Sequence, residues 1–226
     1  MRVQRPKYID DILLRREYTK LLRVSSGKAV VLLSGGIDST VAMVLAKKSG
    51  LEVIGLEFSY DKRPAQETTN VDEICEITKT ELYKVGYPTP LRKHPFNMQE
   101  TEKIEIPESN SLYYSIAGGF AREMGLEYVI GGQILNDRVN SKNERSTPNH
   151  YKTLNELLKR EYEPNHPRIL MPLIYLNKIE VVRIGLSLGA PLDLTWSCPN
   201  NNTIPCGDCV QCLEREEAFR ISDDSK

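Results

Sequence analysis

"KAVVLLSGGIDSTVAMVLAKKSG", Lys28–Gly50, carries an apolar run that breaks into Ser34-Gly35-Gly36, then Asp38-Ser39-Thr40 and a second apolar run. "AVVLL" (Ala29–Leu33) lacks polar alternation, as a strand buried on both faces of a parallel sheet should. Asp38–Lys48 reads as a helix that Gly50 ends. Two glycines after a strand let a ligand approach the backbone, because no Cβ stands in the way. The N–H groups and dipole of the following helix make an anion site, and Ser39 and Thr40 add hydroxyls, so the loop suits a phosphate or pyrophosphate. A second reading needs no ligand: the glycines serve only the turn, and Asp38 caps the helix.

Outward from this stretch, β-like runs alternate with helical ones. "LEVIGLEFSY" (Leu51–Tyr60) predicts a strand, Glu67–Tyr83 a helix, and the proline-punctuated stretch Tyr87–Pro107 a strand near Arg92–Phe96. Ser109–Met124 follows as a helix, "LEYVIGG" (Leu126–Gly132) as a buried strand, and the polar segment Asn136–Asn149 as a mobile loop at the site end of the sheet. Thr153–Arg160 predicts a helix, Arg168–Leu176 contains a strand, Lys178–Leu188 is a helix, and a short helix is expected over Ile9–Leu22. The alternation predicts an α/β fold, a doubly wound parallel sheet covered on both faces. Ligands of such sheets sit beyond the carboxyl ends of the strands, where Ser34–Thr40 falls.

Thirty Lys and Arg against 31 Asp and Glu give a net charge of -1, which argues against a dedicated nucleic-acid or membrane-surface binder. The longest apolar runs are far too short to span a bilayer. The start of the chain lacks the apolar core and cleavage site of a secretory signal, so a cytoplasmic location is expected. Of five cysteines, Cys198, Cys206, Cys209 and Cys212 crowd together at spacing C-x7-C-x2-C-x2-C. Two-residue gaps aim successive thiolates at one centre, and four thiolates satisfy tetrahedral Zn²⁺; an iron–sulfur cluster uses similar spacings. A closed set of four ligands predicts a structural metal that pins the C-terminal tail, Trp196 included, against the main domain. Cys75 lies beside an apolar face of Val71, Ile74, Ile77 and Leu82 and reads as a partly buried, inert thiol.

The loop fits neither G-x-x-x-x-G-K-[ST] nor G-x-G-x-x-G. It resembles the S-G-G-x-D-S pattern of the PP-loop ATP pyrophosphatases, which cleave ATP between its α- and β-phosphates and adenylate an oxygen of the substrate. That resemblance implies that Leu33, Ser34, Gly35, Gly36, Ile37, Asp38, Ser39 and Thr40 hold ATP. Asp38 would act near Mg²⁺ or orient the loop, and Ser39 joins it among the catalytic residues. Lys178, after "PLIYLN", is the candidate cation for charge on departing pyrophosphate; the plainer reading is a solvated surface lysine.

"TWSCPN...CGDCVQCLEREEAF" (Thr195–Phe219) resembles the C-terminal signature of the 7-cyano-7-deazaguanine synthase (QueC) family, and the likeness runs from about Lys28 to Phe219. "FSYDKR" (Phe58–Arg63) is similar to the family's F-x-Y-G-Q-R, and "PLIYLNKIEVV" to its P-L-x-x-L-x-K-x-E. The resemblance implies Tyr60, Arg63, Asn110 and Asp137 as substrate contacts and ATP, Mg²⁺ and structural Zn²⁺ as cofactors. It divides the chain into an extension (1–27), a PP-loop ATP-binding α/β domain (28–192) and a zinc-binding segment (193–226). A homodimer is expected.

The implied reaction converts 7-carboxy-7-deazaguanine to the nitrile, with ammonia as the nitrogen source. Two segments depart from the family: its G-R-N appears as "ESN", keeping Asn110, and its G-Y-P-D-C-R as "STPNHY", keeping Pro148 but placing Asn149, His150 and Tyr151 where Asp, Cys and Arg are usual. Three readings follow: a synthase of the cyano product; a QueC-like paralogue that passes the activated acid to another amine, such as a protein amino group, in antiviral defence; and a silent nucleotide-binding partner.

Overall fold

The computed structural model describes residues 26–60, 63–86, 91–93, 101–103, 109–134, 147–200 and 203–223. The predicted helix Ile9–Leu22, Asp137 and most of the Asn136–Asn149 segment lie outside them.

Strand β1 (Lys28–Leu32) is central in a five-stranded sheet, paired in parallel with β2 (Glu52–Ser59) on one side and β6 (Tyr128–Ile130) on the other. Strand β3 (Glu81–Gly86) continues beyond β2 and β7 (Arg168–Leu170) beyond β6, all parallel. The order β3-β2-β1-β6-β7 is doubly wound, so the chain reverses direction across the sheet between β1 and β6. β4 (Leu91–Lys93) and β5 (Thr101–Lys103) form a separate antiparallel pair.

Both faces of β1 are covered, which explains its unbroken apolar run. Ala29, Val31 and Leu33 face a layer holding helices α1 (Ile37–Lys48), α2 (Ala65–Thr78) and α5 (Lys178–Leu188). Val30 and Leu32 face the opposite layer, with α3 (Asn110–Glu123) and α4 (Pro148–Tyr162). The final helix α6 (Val210–Asp223) stacks on α5. No helix among the described residues is long and apolar enough to cross a membrane.

Two helices differ in their bounds from expectation. The predicted helix Glu67–Tyr83 ends at Thr78, because Lys79 turns left-handed (φ 52°) and returns the chain to β3. Leu82 is therefore a strand residue, and Ile77 is 62% exposed rather than part of an apolar face. Cys75 is buried, and desolvation pushes its thiol up to about 11. The helix expected over Thr153–Arg160 begins at Pro148, where proline suits a first turn and the Thr147 hydroxyl accepts from the His150 N–H. Thr147–Asn149 thus belong to a helix start rather than to the polar loop. Helix α5 spans the residues predicted, closed by an Asn177–Glu180 capping box and by Gly189 in the left-handed region.

Candidate active site

The phosphate-type loop lies at the carboxyl end of β1, beside the crevice that the reversal opens between β1 and β6. Gly35 has φ +81°, and a Cβ there would stand 2.7 Å from the Glu67 carbonyl, so both conformation and space demand glycine. Gly36 is the N-cap of α1 and supplies no side-chain cap, so the first N–H groups of that helix, which have no partner in its own ladder, face outward. Ser39 joins the two halves of the loop: its Oγ lies 3.2 Å from the Ser34 Oγ, accepts from the Ser34 N–H at 3.3 Å and donates to the Gly36 carbonyl at 3.2 Å.

Asp38 does not cap its helix. Its Oδ2 accepts from Lys178 Nζ at 2.6 Å, across 140 residues of sequence. Its Oδ1 is buried and has no hydrogen-bond partner among the described residues. An orphaned carboxylate oxygen beside a row of helix N–H groups suits a cation shared with a phosphate. Lys178 is therefore not the solvated surface lysine of the plainer reading, because its side chain is only 19% exposed.

A cavity of about 300 Å³ opens over the loop. Of the sequence-predicted residues, Leu33, Ser34, Asp38, Ser39, Tyr60, Arg63 and Asn110 line it. Thr40 and Ile37 do not: Thr40 is wholly buried, with its hydroxyl donating to the Gly36 carbonyl at 2.9 Å, and Ile37 packs in the core. Thr40 thus tightens the first turn of α1, and its side chain offers no donor to a ligand. Arg63 lines the cavity and is engaged by protein groups. It donates to the carbonyls of Ser34 (2.8 Å) and Phe58 (2.7 Å) and is ion-paired with Glu57 and Glu67.

Tyr114, Gly132, Gln133 and Glu67 also line the cavity and were missed from sequence. The Tyr114 hydroxyl donates to the Gln133 side-chain oxygen. Gly132 lies so close to the loop that a Cβ would be 2.7 Å from the Ser39 nitrogen. A signal existed: "LEYVIGG" ends in glycines at the strand that borders the reversal, where a doubly wound sheet places its ligand.

The residue that follows the first departing segment meets the second in space. Ser111 Oγ lies 3.3 Å from His150 Nε2, joining the start of α3 to that of α4. Tyr151 is buried edge-on against Tyr114, with ring centroids 5.1 Å apart.

The four clustered cysteines bring their Sγ atoms within 4.8 Å of one another. Cys198 and Cys206 are 3.5 Å apart, and Cys206 and Cys212 3.9 Å. Tetrahedral Zn²⁺ with bonds of about 2.3 Å would set its thiolates about 3.8 Å apart, so the set fits. A backbone N–H of Cys206 pulls the Cys198 thiol down to about 7. The segment is tied to the phosphate loop: the Trp196 N–H donates to the Gly35 carbonyl at 2.8 Å, and Trp196 Nε1 to the Cys198 carbonyl at 2.6 Å. Asn70 holds the Leu194 carbonyl at 2.6 Å, and Arg215 of α6 reaches Thr195 Oγ1 at 2.7 Å.

A parallel sheet wound both ways with a serine–glycine loop at its reversal places the chain in the fold class of the PP-loop ATP pyrophosphatases. The U34-tRNA thiolase NcsA from Methanococcus maripaludis, solved with its [4Fe-4S] cluster, shares the fold at TM-score 0.56 and 19% identity, covering 96% of this chain and 72% of its own. NMN synthetase from Francisella tularensis does so at TM-score 0.50 and 19% identity, covering 93% and 85%. Within that class the family model of the queuosine biosynthesis protein QueC matches residues 28–223, and the chain belongs to this family. The 7-cyano-7-deazaguanine synthase of Prochlorococcus marinus (strain AS9601) is 31% identical over 208 residues, covering 84% of this chain and 92% of the relative. That of Carboxydothermus hydrogenoformans is 31% identical over 219 residues, covering 84% and 97%.

Proposed function

We propose that the protein is an ATP-dependent ligase that converts the carboxylate of 7-carboxy-7-deazaguanine to the nitrile, with ammonia as nitrogen donor. The observation that carries this reading is the Ser34–Ser39 loop with the Asp38–Lys178 pair, set at the sheet reversal in a chain of the QueC family. A carboxylate oxygen is a poor leaving group. Its attack on the α-phosphate forms an O–P bond, breaks the bond to the β-phosphate side and expels pyrophosphate. Ammonia then adds to the acyl carbon, AMP leaves, and an amide results. A second activation at the amide oxygen, followed by loss of AMP and protons, leaves the nitrile.

The residues divide this work. The N–H groups at the start of α1 meet the phosphates, and the loop approaches closely because residues 35 and 36 are glycines. Lys178, within the loop's charge network, offsets negative charge as pyrophosphate departs. Asp38 is the residue that would hold Mg²⁺ through Oδ1, and that ion, when bound, screens the phosphate oxygens from one another. Tyr60, Asn110, Tyr114 and Gln133 form the wall across the cavity, where the planar acid would lie. The cysteine set would hold Zn²⁺, because four thiolates within 4.8 Å of one another suit one ion, whereas an iron–sulfur cluster divides its four thiolates among two or four irons and sets them wider apart.

The test is pyrophosphate release from ATP with 7-carboxy-7-deazaguanine, with and without ammonium, and mass spectrometry of the product. Ammonium-dependent formation of the cyano compound is expected. Pyrophosphate release without nitrile would overturn the ammonia step and favour transfer to another amine. No ATP turnover would overturn the ligase reading.

A further inference from the structure

Strand β2 carries an acid where its apolar pattern asks for none. Glu57 is wholly buried, with a side chain on the same face as Val53 and Gly55, in the layer that α2 covers. A buried carboxylate is expensive unless paired, and the strand gains nothing from it. Its Oε1 is ion-paired with Arg63 Nη1 at 2.9 Å, and its Oε2 with Lys84 Nζ at 3.3 Å from the neighbouring strand. Lys84 in turn pairs with Asp72 of α2 at 2.7 Å, near the surface.

The Arg63 guanidinium, with its side chain 4% exposed, passes this anchor on. Its Nη2 donates to the Ser34 carbonyl, the point at which β1 becomes the phosphate loop, while Nε faces Glu67 at 3.3 Å. Two carboxylates flank one guanidinium, so its positive charge is already compensated and it is poorly placed to bind phosphate as a free cation. It acts instead as a strut between the end of β2 and the start of the loop.

We infer that Glu57 is a positioning residue for ATP, acting through Arg63 to fix the Ser34 carbonyl and with it the register of the phosphate loop; this rests on the ATP site proposed above. Without the Glu57 charge, the guanidinium is drawn toward the phosphates instead, and the loop loses its hold at Ser34. The effect falls on ATP and not on the acid, because the anchor ends at the loop.

The experiment compares Glu57→Gln, Arg63→Lys and Lys84→Met. Each is assayed for pyrophosphate release against ATP and against the acid, for Mg·ATP binding by equilibrium dialysis, and for thermal unfolding. Glu57→Gln keeps the shape and loses the charge; a misplaced loop predicts a loss of about a hundredfold in kcat/KM for ATP, with the KM for the acid little changed. Arg63→Lys keeps a charge and loses the grip on Ser34, and should show the same split even if Glu57→Gln does not fold. Lys84→Met touches Glu57 only from the far side and should stay within about threefold of wild type in ATP kinetics while unfolding earlier. Equal losses for ATP and the acid, or ATP kinetics that follow thermal stability across all three variants, would reduce Glu57 to a structural role and overturn the inference. If wild-type protein binds Mg·ATP but releases no pyrophosphate, the ligase reading fails, and the dialysis constants alone then decide the role of Glu57.

Discussion

Gly132→Ala tests the geometry of the crevice with a single methyl group. A Cβ at this position would lie 2.7 Å from the Ser39 nitrogen and 2.8 Å from the Asp38 carbonyl carbon and the Ser39 Cα. These are backbone atoms of the first turn of α1, which no rotamer change can move aside. Reaching an ordinary separation of 3.4 Å requires the loop and the end of β6 to part by about 0.7 Å. The strain of such overpacking is about 1–3 kcal/mol, so the fold survives. Catalysis is less tolerant: displacement of a reacting group by about 1 Å lowers the rate about a hundredfold. The expected result is a variant that still unfolds cooperatively, with kcat/KM for ATP lowered by one to two orders of magnitude. The assay is continuous pyrophosphate release across an ATP titration, beside a thermal melt. Kinetics within about threefold of wild type would show that the loop does not need its present distance from β6, and would refute the placement of the phosphates in this crevice.

Asp38→Ala should abolish pyrophosphate release. Because the pair with Lys178 is partly solvated, it should lower Tm by only about 2–4 °C, the equivalent of about 1 kcal/mol; retained activity would show that the loop is not the catalytic phosphate site. Cys209→Ser should lose metal and stability together, since binding of a structural metal is folding free energy. Elemental analysis beside a melt reads both, and loss of metal with an unchanged melt would remove the structural role. Cys75 should resist iodoacetamide in the native protein at pH 8. Burial raises its thiol to about 11, so only about a thousandth is thiolate at that pH, and labelling grows as pH rises toward that value. Peptide mapping that found Cys75 modified as fast in native as in unfolded protein would contradict its burial.

The parallel α/β class, the phosphate loop, the bounds of α5 and the four-cysteine set were legible in the sequence because each rests on local rules. A strand buried on both faces has to be apolar throughout, a loop under phosphates has to lack Cβ atoms, and thiolates two residues apart converge on one ion. Local rules failed where two meanings share one pattern. Glu67–Tyr83 is periodic enough for a helix, yet Lys79 breaks it and β3 begins. Thr40, a hydroxyl in the right motif, spends its donor on the Gly36 carbonyl.

Only the tertiary structure brought Lys178 to Asp38 across 140 residues, set Gly132 against Ser39, joined Ser111 to His150, and gave Arg63, at the cavity wall, the buried Glu57 as an ion-pair partner. The reason is physical. A sequence pattern reports which side chains are apolar and which turns are tight, but the partner of a buried charge is set by sheet order and register, which no local stretch contains.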